Sequence, residues 1–580
     1  MEKLKYILLL ILVINTKQTI AQQNISVDET VFIHANATTF VSGETILYKI
    51  YCVKSIDKTP SPVSKLAYVE LIDASNSSIF KNKLFLENST GEGSYFIPTT
   101  LKTGNYKLIG YTNWMLNSST SKTFQIDIKI INPYQVSEAN TFENKTITEK
   151  PNLGNLNTAT LPRTEEPVLD KNFKIKLNKK TFSNREKVAL EIESSATTPE
   201  KGNYSLSVRK IDNLPTINQI STNEFSKIPI TIDTDLQNKE KVILPELRGE
   251  MISGKVLQKN NTGNVQNVLV ALSSPGKSFA LKVVKTDQTG HFVFNLDKAY
   301  YNPETIIQIL GDERENYTIQ LDKMNQPDYS KLSFQPDFNL PIEVKESLLE
   351  RSIASQIENA YYQDKADSII KPAKISPFYY PVAKEYVLND FTRFPSLMET
   401  IIEVTTELYH KKEGNNYSLH VTDYKIFPQL PEPALVLVDG LLLQNINELF
   451  NYNMKNVYSI SIITGRYYVG PKFFNGIISL ITIENDFTSQ QKENYILKAT
   501  VLRPSIKKSY YKADYTDKEK YERIPDFRNQ LLWNPEVTIN STENPISFFT
   551  SDIPGTYEIS MEGFTEKGIP VSLKDTFKVE

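Results

Sequence analysis

The sequence is poor in the residues that build disulfide frameworks and metal sites. Its 580 residues include one cysteine, Cys52, and four histidines. A single cysteine excludes an internal disulfide framework, and its place in an alternating apolar run favours a buried side chain over a reactive thiol. The histidines have no Glu-x-x-His or His-x-His neighbour, so no metal-ligand spacing is visible. We therefore predict no metal site and no cofactor.

An excess of charge of one sign is also missing. The 65 basic and 68 acidic residues give a net charge of −3, and neither sign forms a long run. We exclude nucleic acid as a partner, because its recognition requires a concentrated basic surface. The 31 tyrosines and 28 phenylalanines accompany many Thr, Ser, Asn and Val residues, a composition typical of strands joined by polar turns. Several mainly β domains are expected, since single cores stop growing near ~250–300 residues.

Apolar runs of the ~20 residues that a transmembrane helix needs are absent as well. Basic residues Lys3 and Lys5 precede a short apolar run at residues 6–14, and the small residue Ala21 follows. This order is that of a secretory signal peptide, and the run is too short for a permanent membrane helix. We predict cleavage after Ala21 and an exported chain without a transmembrane segment, with an uncleaved membrane anchor as the alternative.

Catalytic patterns are not recognisable either. No Gly-x-Ser-x-Gly nucleophile turn occurs. Carboxylate pairs such as Asp364 and Asp367 lie in a charged segment, where solvated side chains are expected. We predict no catalytic residues and a protein that is not an enzyme.

An internal repeat is the first positive feature. Residues 36–50 align without gaps on residues 178–192, and five positions are identical (Asn, Thr, Phe, Glu and Ile). This similarity predicts two copies of one β-sandwich. The pattern resembles the macroglobulin-type MG2 domain of exported Bacteroidetes proteins. Protease-trapping macroglobulins use a Cys-Gly-Glu-Gln thioester, which this sequence lacks, so trapping is not implied.

A third sandwich is predicted over residues 248–325. An Ile-Ser-Gly-Lys-Val opening at residues 252–256 is followed by alternating strands and an Asp-Gln-Thr-Gly turn at residues 287–290. These features resemble the carboxypeptidase-regulatory-like β-sandwich. In outer-membrane receptors that module commonly precedes a plug domain.

Three runs rich in Val and Ile lie further on, at residues 434–440, 459–466 and 474–483. Their composition and turn residues predict strands of one small buried sheet. These runs resemble the plug domain of TonB-dependent outer-membrane receptors in three sequence motifs: Val-Asp-Gly, Ser-Ile-Ser-Ile and Asn-Gly-Ile-Ile-Ser-Leu-Ile-Thr. Only about 96 residues follow Glu484, whereas a large receptor barrel uses on the order of 22 strands of ~9–11 residues. The resemblance therefore implies a plug without its own barrel, acting as a binding module.

The plug resemblance implies that this region docks onto a partner. The Asp-Gly pair at 439–440 is a hairpin-turn pair, because Gly accepts positive φ and Asp bonds local amides. The functional alternative is that the next three leucines present an apolar loop to a partner. Since three adjacent leucines cannot all face one core, at least one should be exposed or covered by another surface. The predicted partner-binding residues are Asp439, Gly440, Leu441, Leu442, Leu443, Arg466, Asn475 and Gly476.

Two helices are predicted between the strand-rich segments. Apolar spacing indicates one at residues 343–370. A capping box formed by Ser396 and Glu399 begins the other, at residues 396–408. The predicted domains are a signal peptide (1–21), a macroglobulin-like sandwich (22–133), a linker (134–170), a second such sandwich (171–247), the carboxypeptidase-regulatory-like sandwich (248–325), a helical linker (326–375), the plug-like domain (376–486) and a C-terminal sandwich (487–580).

The predicted fold is mainly β, with tandem β-sandwich domains of immunoglobulin-like or macroglobulin-like type and one small α/β plug-like domain. The leading functional hypothesis is a non-enzymatic exported scaffold or adaptor, periplasmic and peripheral to the outer membrane, with the cell surface as the alternative location. Its expected partner is an outer-membrane β-barrel protein or complex that works in transport, secretion or barrel assembly. The alternatives are a peptide- or glycan-binding component of a nutrient uptake system and a thioester-less macroglobulin-like protease inhibitor or defence protein. The oligomeric state is left open.

Overall fold

The computed structural model describes residues 28–118, 123–135, 168, 170–195, 201–229, 236, 242–259, 264–336, 340–379, 382, 384–422, 432–517, 521–539 and 541–580. The predicted signal peptide and most of the predicted linker at 134–170 lie outside these residues. The chain divides into two compact units. Unit 1 consists of Met1–Leu247, Gln326–Ile369 and Lys507–Glu580, and unit 2 consists of Arg248–Asn325 and Ile370–Ile506.

Strands dominate the described residues, which confirms the predicted mainly β fold class. The strands are β1 (Thr30–Ala35), β2 (Thr39–Val41), β3 (Thr45–Val53), β4 (Leu66–Asp73), β5 (Ser78–Phe85), β6 (Thr90–Phe96), β7 (Gly104–Tyr111), β8 (Phe124–Ile131), β9 (Phe173–Leu177), β10 (Thr181–Phe182), β11 (Lys187–Ser194), β12 (Gly202–Lys210), β13 (Glu250–Gln258), β14 (Leu269–Ser274), β15 (Ala280–Lys285), β16 (His291–Leu296), β17 (Glu304–Leu310), β18 (Tyr317–Leu321), β19 (Ser368–Ile369), β20 (Lys384–Val387), β21 (Leu408–Glu413), β22 (Asn416–Val421), β23 (Leu435–Val438), β24 (Leu441–Leu442), β25 (Val457–Val469), β26 (Lys472–Thr482), β27 (Ile496–Thr500), β28 (Lys508–Ser509), β29 (Gln530–Val537), β30 (Glu543–Phe549), β31 (Gly555–Thr565) and β32 (Pro570–Val579). The α-helices are α1 (Thr222–Lys227), α2 (Lys345–Ala360), α3 (Leu397–Glu403) and α4 (Asn447–Phe450). No helix among the described residues combines the length and the apolar character needed to cross a bilayer.

Unit 1 contains two sandwiches with the same arrangement of strands. The first packs a sheet of order β1-β3-β6 on a sheet of order β2-β8-β7-β4-β5. The second packs a sheet of order β9-β11-β30 on a sheet of order β10-β32-β31-β12-β29. Strands β9–β12 correspond to β1–β4, and strands β29–β32 correspond to β5–β8. With this correspondence the two strand orders are identical, so the repeat predicted from the sequence is confirmed.

The repeat extends to individual hydrogen bonds. In the first copy, Glu44 accepts a hydrogen bond from the backbone N–H of Val41 at 3.0 Å. In the second copy, Glu186 accepts one from the backbone N–H of Ser183 at 2.8 Å. Both glutamates therefore close the tight turn between the second and third strands. This shared role explains why the glutamate is one of the identical residues.

The second sandwich differs from its prediction because the chain leaves it midway. Strand β12 pairs antiparallel with β29, and β11 pairs with β30, so strands β9–β12 and β29–β32 form one sandwich. The predicted separate domains at 171–247 and 487–580 are therefore corrected to a single split sandwich. The physical reason is that β9–β12 supply only two strands of the three-stranded sheet and two of the five-stranded sheet, which cannot bury a two-layer core. In the first copy the equivalent strands β4 and β5 are joined by residues 74–77, and in the second copy residues 211–529 occupy that connection.

Helix α2 also differs from its prediction as part of a linker over residues 326–375. Its residue Leu348 and the preceding Val344 pack against Val41 and Ile131 of the first sandwich. The buried face of the helix anchors it to unit 1, because an apolar stripe is stabilised only when another surface covers it. The helix is thus a packed element of unit 1.

Unit 2 combines the third sandwich with a small α/β domain. The sandwich pairs a β16-β13-β18 sheet with a β15-β14-β17-β27 sheet. Strand β27 lies within the range 487–580 predicted for the C-terminal sandwich, so the predicted boundaries 248–325 and 487–580 are corrected here too. The chain returns to this sheet after the α/β domain, because the free edge of β17 offers backbone partners to β27.

The α/β domain has a five-stranded sheet of order β20-β25-β26-β23-β24, with β23 parallel to β26. Helices α3 and α4 and the β21–β22 hairpin contribute to its core. The predicted capping box is confirmed, since the Ser396 and Glu399 side chains each accept from the other's backbone N–H. The helix ends at Glu403 and not at Leu408, where β21 begins. The residues that follow Glu403 are Val, Thr and Thr, whose β-branched side chains favour an extended chain.

A buried carboxylate in unit 1 leads to a pH-dependent prediction. Glu562 of β31 is 2% exposed and accepts hydrogen bonds from the Thr222 backbone N–H, the Thr222 hydroxyl and the Ser572 hydroxyl. Burial raises the pKa of Glu562 from 4.5 to about 7. The folded protein therefore keeps this proton between pH 4.5 and pH 7, where the unfolded chain releases it. The stability that this group contributes is complete below pH 4.5 and is lost as the pH rises through 7.

We expect Glu562→Gln, which cannot ionise, to gain stability relative to wild type as the pH rises. The relative gain between pH 4.5 and pH 8 should reach about 3 kcal/mol, because each pKa unit corresponds to about 1.4 kcal/mol. Denaturant unfolding of both proteins across this pH range measures the difference. The exposed Glu566→Gln, in the β31–β32 turn, is the matched control and should follow wild type. A difference between E562Q and wild type that does not change with pH would contradict the prediction.

Candidate functional site

The Asp439–Gly440 pair forms the two-residue turn between β23 and β24, in unit 2. Both residues have positive φ, 50° and 84°, as a type I′ hairpin requires. The Asp439 carboxylate accepts hydrogen bonds from the Thr482 backbone N–H at 2.8 Å, the Thr482 hydroxyl at 2.6 Å and the Phe487 backbone N–H at 3.1 Å. Since Asp439 is 1% exposed, its side chain ties the turn to the end of β26 and offers nothing to a partner.

The three leucines that follow are covered by the same chain. Leu441 and Leu443 enter the core of the α/β domain, while Leu442 packs on the opposite side with Phe279 and Leu281 of the third sandwich. Leu441, Leu442 and Leu443 are 3%, 4% and 5% exposed, respectively. The expected covering surface therefore exists, but it belongs to the third sandwich. The prediction that these leucines contact a partner is corrected, because burial leaves them no free surface.

Asn475 and Gly476 are buried as well, in β26. Gly476 has φ +90°, and a Cβ atom there would lie 2.8 Å from a methyl carbon of Val421. Asn475 is 3% exposed. Both residues are enclosed within the sheet, so neither can contact a partner directly.

Arg466 is the predicted residue that the structure places at the surface. Its guanidinium lies 4.8 Å from the ring centroid of Phe473, across the β25–β26 hairpin. Tyr468 pairs directly with Phe473 in the antiparallel register, and the two rings are 65% and 40% exposed. Arg466, Tyr468 and Phe473 lie on one face of the hairpin and are exposed, and this surface is here named the tip surface.

The tip surface stands on a supported hairpin. The Tyr467 hydroxyl donates to the Phe378 carbonyl at 2.7 Å, and Phe474 packs in the cluster shared with the third sandwich. At the turn, a Cβ on Gly470 would lie 2.1 Å from the Val283 carbonyl oxygen, so the hairpin end rests on β15. One face of the hairpin is therefore held by the third sandwich while the other is exposed. Such support reduces the entropy lost on binding.

Tyr468 and Phe473 are not among the residues predicted from the sequence. The available signal was the cluster of aromatic and basic residues on both sides of the Gly-Pro turn at 470–471. Tyr and Arg are enriched at the centres of protein interfaces, because they bury large areas and still form hydrogen bonds. The composition of the cluster could therefore have pointed to this hairpin.

Two buried reactive groups of unit 1, the His34 imidazole and the Cys52 thiol, are enclosed. No group of three or more His, Cys, Asp or Glu side chains among the described residues could hold a metal ion. The His34 imidazole lies 2.7 Å from the Ser205 hydroxyl, but their exposures are 1% and 0%, which leaves no access for a substrate. Burial, followed by Lys574 and Lys49, lowers the pKa of His34 to about 3. Cys52 is buried in β3 as predicted, and burial raises the pKa of its thiol.

No protein-family model matches the sequence, and no curated protein matches it either. Solved structures that align with the chain include Salmonella alpha-2-macroglobulin reacted with methylamine, at 9% identity and a TM-score of 0.24. Others are Escherichia coli alpha-2-macroglobulin in its native conformation (10% identity, TM-score 0.24) and activated by porcine elastase (7% identity, TM-score 0.24). Each alignment covers 95% of this chain and 39%, 40% and 44% of those structures, respectively. The chain thus spans about two fifths of their length, and its fold class rests on the strand pairing described above.

Proposed function

We propose that this protein is a non-catalytic exported scaffold that associates with an outer-membrane protein complex and contacts an integral β-barrel protein through the tip surface. The observation that carries the proposal is the exposed Arg466–Tyr468–Phe473 cluster on a hairpin whose other face is buried. The position of this cluster in the α/β domain also supports the proposal, because residues 434–483 resemble the plug domain of outer-membrane receptors. The buried turn and leucines then have a structural task, which is to fix the domain on the third sandwich.

The contact can be captured by photo-crosslinking in the bacterium that produces this protein. A benzophenone amino acid at position 468 should crosslink an integral outer-membrane protein with the heat-modifiable mobility of a β-barrel. The matched control is position 458, because Tyr458 lies on the same strand and is 45% exposed but is outside the tip surface. Separation of inner membrane, outer membrane and periplasm in the same experiment tests the predicted export.

A charge-reversal variant adds an independent measurement. Arg466→Glu removes the cation that stacks on Phe473 and places a carboxylate on the tip surface. Because Arg466 is exposed, the fold should persist, and recovery of the β-barrel protein in a pull-down from solubilised outer membranes should fall at least tenfold. Hot-spot arginines of interfaces typically cost 2 kcal/mol or more when truncated, which agrees with such a loss. Recovery of no outer-membrane β-barrel protein with wild type, or equal recovery with R466E, would overturn the proposal.

A further inference from the structure

A buried lysine of the first sandwich reaches into the second. Lys49 lies in the middle of β3 and is 1% exposed. Its side-chain nitrogen Nζ donates to the amide oxygen Oδ1 of Asn203 and to the backbone carbonyls of Tyr204 and Pro535. Asn203 and Tyr204 belong to β12 and Pro535 belongs to β29, so all three acceptors are part of the second sandwich. All three are also uncharged, whereas a buried lysine is normally paired with a carboxylate.

The surroundings of Lys49 favour its neutral amine. Burial lowers the pKa of Lys49 from 10.5 to about 7, against the opposing effect of Glu92 and Glu536. The Tyr51 ring, whose centroid lies 5.0 Å from Nζ, is 2% exposed and helps to exclude water. A neutral amine has a lone pair and is a nucleophile, whereas an ammonium group is not. Near pH 7 a large fraction of Lys49 is therefore in its reactive form.

The side chain of Asn203 holds an amide carbon next to this amine. Nζ of Lys49 is in hydrogen-bond contact with Oδ1, and Oδ1 is bonded to the amide carbon Cγ, which is the atom that a nucleophile attacks. The amide nitrogen Nδ2 donates to the Thr90 hydroxyl at 3.3 Å. Asn203 and Thr90 are half-buried, so a small leaving group has a path to solvent. Holding two reacting groups together in this way strongly raises the rate of their reaction.

An acidic side chain lies directly opposite the lysine. Glu92 of β6 pairs with Lys49 in the antiparallel register, which places the two side chains on the same face of the sheet. Burial, followed by repulsion from Glu536, raises the pKa of Glu92 from 4.5 to about 7. The cation Lys507 opposes this increase only in part, and it donates to Glu536 and Glu87 at 2.8 Å each. Glu92 can therefore supply a proton at neutral pH.

Other buried lysines of unit 1 lack these conditions. Lys365 donates to Glu358 at 2.6 Å, and Lys107 donates to Asp127 at 2.5 Å. In such ion pairs the ammonium has no lone pair, and a carboxylate resists attack by a nucleophile. The contact between Lys49 and Asn203 instead joins an amine to a neutral amide.

We propose that Lys49 and Asn203 form an intramolecular isopeptide bond, which joins the first sandwich covalently to the second. The Nζ–Cγ bond forms when the neutral amine attacks the amide carbon, and the Cγ–Nδ2 bond breaks with release of ammonia. Glu92 gives its proton to the leaving nitrogen and regains one from the attacking amine, so its protonation is unchanged at the end. An amine and an amide thus give a new amide and ammonia, and neither an oxidant nor a cofactor takes part.

Mass spectrometry of the full chain tests the proposal directly. The wild-type protein should weigh about 17 Da less than its sequence, because one ammonia is lost. A tryptic digest should contain a branched peptide in which residues 202–209 are joined to a segment that ends at Lys54, since trypsin does not cleave after a modified lysine. Fragmentation of this peptide locates the bond. It also distinguishes the bond from cyclisation of an N-terminal glutamine, which releases ammonia too, because Gln22 follows the predicted cleavage site.

Substitutions separate the reaction from folding. Lys49→Met and Asn203→Ala should have the full mass of their sequences. Asn203→Asp should still react but lose about 18 Da, because water replaces ammonia as the leaving group. Glu92→Gln should give the circular dichroism of wild type but form the bond at least a hundredfold more slowly after refolding, and Glu92→Asp should restore part of the rate. Lys107→Met, at a buried lysine of β7, is the matched control and should keep the loss of ammonia.

A wild-type chain with the full mass of its sequence would overturn the proposal. So would a loss of ammonia that persists in K49M or that fragmentation places at other residues. Equal reaction rates of wild type and E92Q would overturn the role assigned to Glu92. These outcomes leave the proposed outer-membrane contact untouched, because Lys49 and Asn203 belong to unit 1 and the tip surface belongs to unit 2.

Discussion

Replacing Gly440 with alanine should destabilise unit 2 by about 2 to 5 kcal/mol. Two costs add at this position. The φ angle of +84° penalises an L-residue by about 1–2 kcal/mol. In addition, a Cβ would lie 2.2 Å from the Cβ and Cγ of Phe279, and relieving such overpacking typically costs about 1–3 kcal/mol. The measurement is the midpoint and slope of denaturant unfolding, followed by a probe in unit 2.

Gly414 provides the matched control for this prediction. It also has positive φ, +58°, in the β21–β22 turn, but no atom lies within 4 Å of its would-be Cβ. Gly414→Ala should therefore cost only the conformational part, about 1 kcal/mol. If both substitutions lower stability equally, the Gly440 turn does not pack on Phe279 as described, and the attachment of the α/β domain to the third sandwich has to be reconsidered.

Local patterns predicted local structure well. The Asp-Gly pair identified the β23–β24 turn, because positive φ at both positions is a property of the pair itself. The capping box at Ser396 and Glu399 likewise marked the start of α3. The repeat could be read from 15 residues because both copies need the same turn glutamate, Glu44 or Glu186. Each of these signals involves residues close in sequence.

The long-range arrangement could not be read in the same way. Nothing in the sequence near Lys210 indicates that its strand pairs with one that begins at Gln530, because strand pairing depends on backbone hydrogen bonds that leave little trace in side chains. The burial of Leu442 could not be predicted from the sequence either, because it depends on a contact between distant residues. Its partner Phe279 lies in another sandwich, more than 150 residues earlier in the sequence. The leucines that we predict to dock onto a partner therefore form an internal contact. The exposed residues lie instead on the hairpin that carries Tyr468.

A second large effect is expected at Arg351, the cation at the centre of a buried network in unit 1. Its guanidinium donates to both carboxylate oxygens of Glu44, at 2.7 and 2.8 Å, to Asp212 at 2.8 Å and to the Thr39 carbonyl at 2.7 Å. Arg209 adds a further contact to Glu44 at 3.2 Å. The network joins helix α2, the turn before β3 and the end of β12. Burial opposes ionisation of Glu44, but Arg351 and Arg209 outweigh it and lower the pKa of Glu44 to about 2.

Arg351→Met keeps the apolar stem of the side chain and removes the charge. The loss of one partner leaves buried carboxylates behind, so the free energy of unfolding should fall by about 3–5 kcal/mol. The exposed Leu349→Ala on the same helix is the control, with an expected effect within about 0.5 kcal/mol. Denaturant unfolding at pH 7 measures both.

The double variant R351M/E44Q decides whether the pair itself is responsible. Glu44→Gln removes the carboxylate that Arg351→Met would strand, so the two effects should not add, and a coupling of about 1–3 kcal/mol is expected for groups in one network. The acid response gives a second readout. Because the pKa of Glu44 is lowered, its contribution is present above pH 4.5 and is lost as the pH falls through 2. R351M should lose less stability over that range than wild type. Strict additivity together with an unchanged acid response would mean that Arg351 stabilises unit 1 through packing alone.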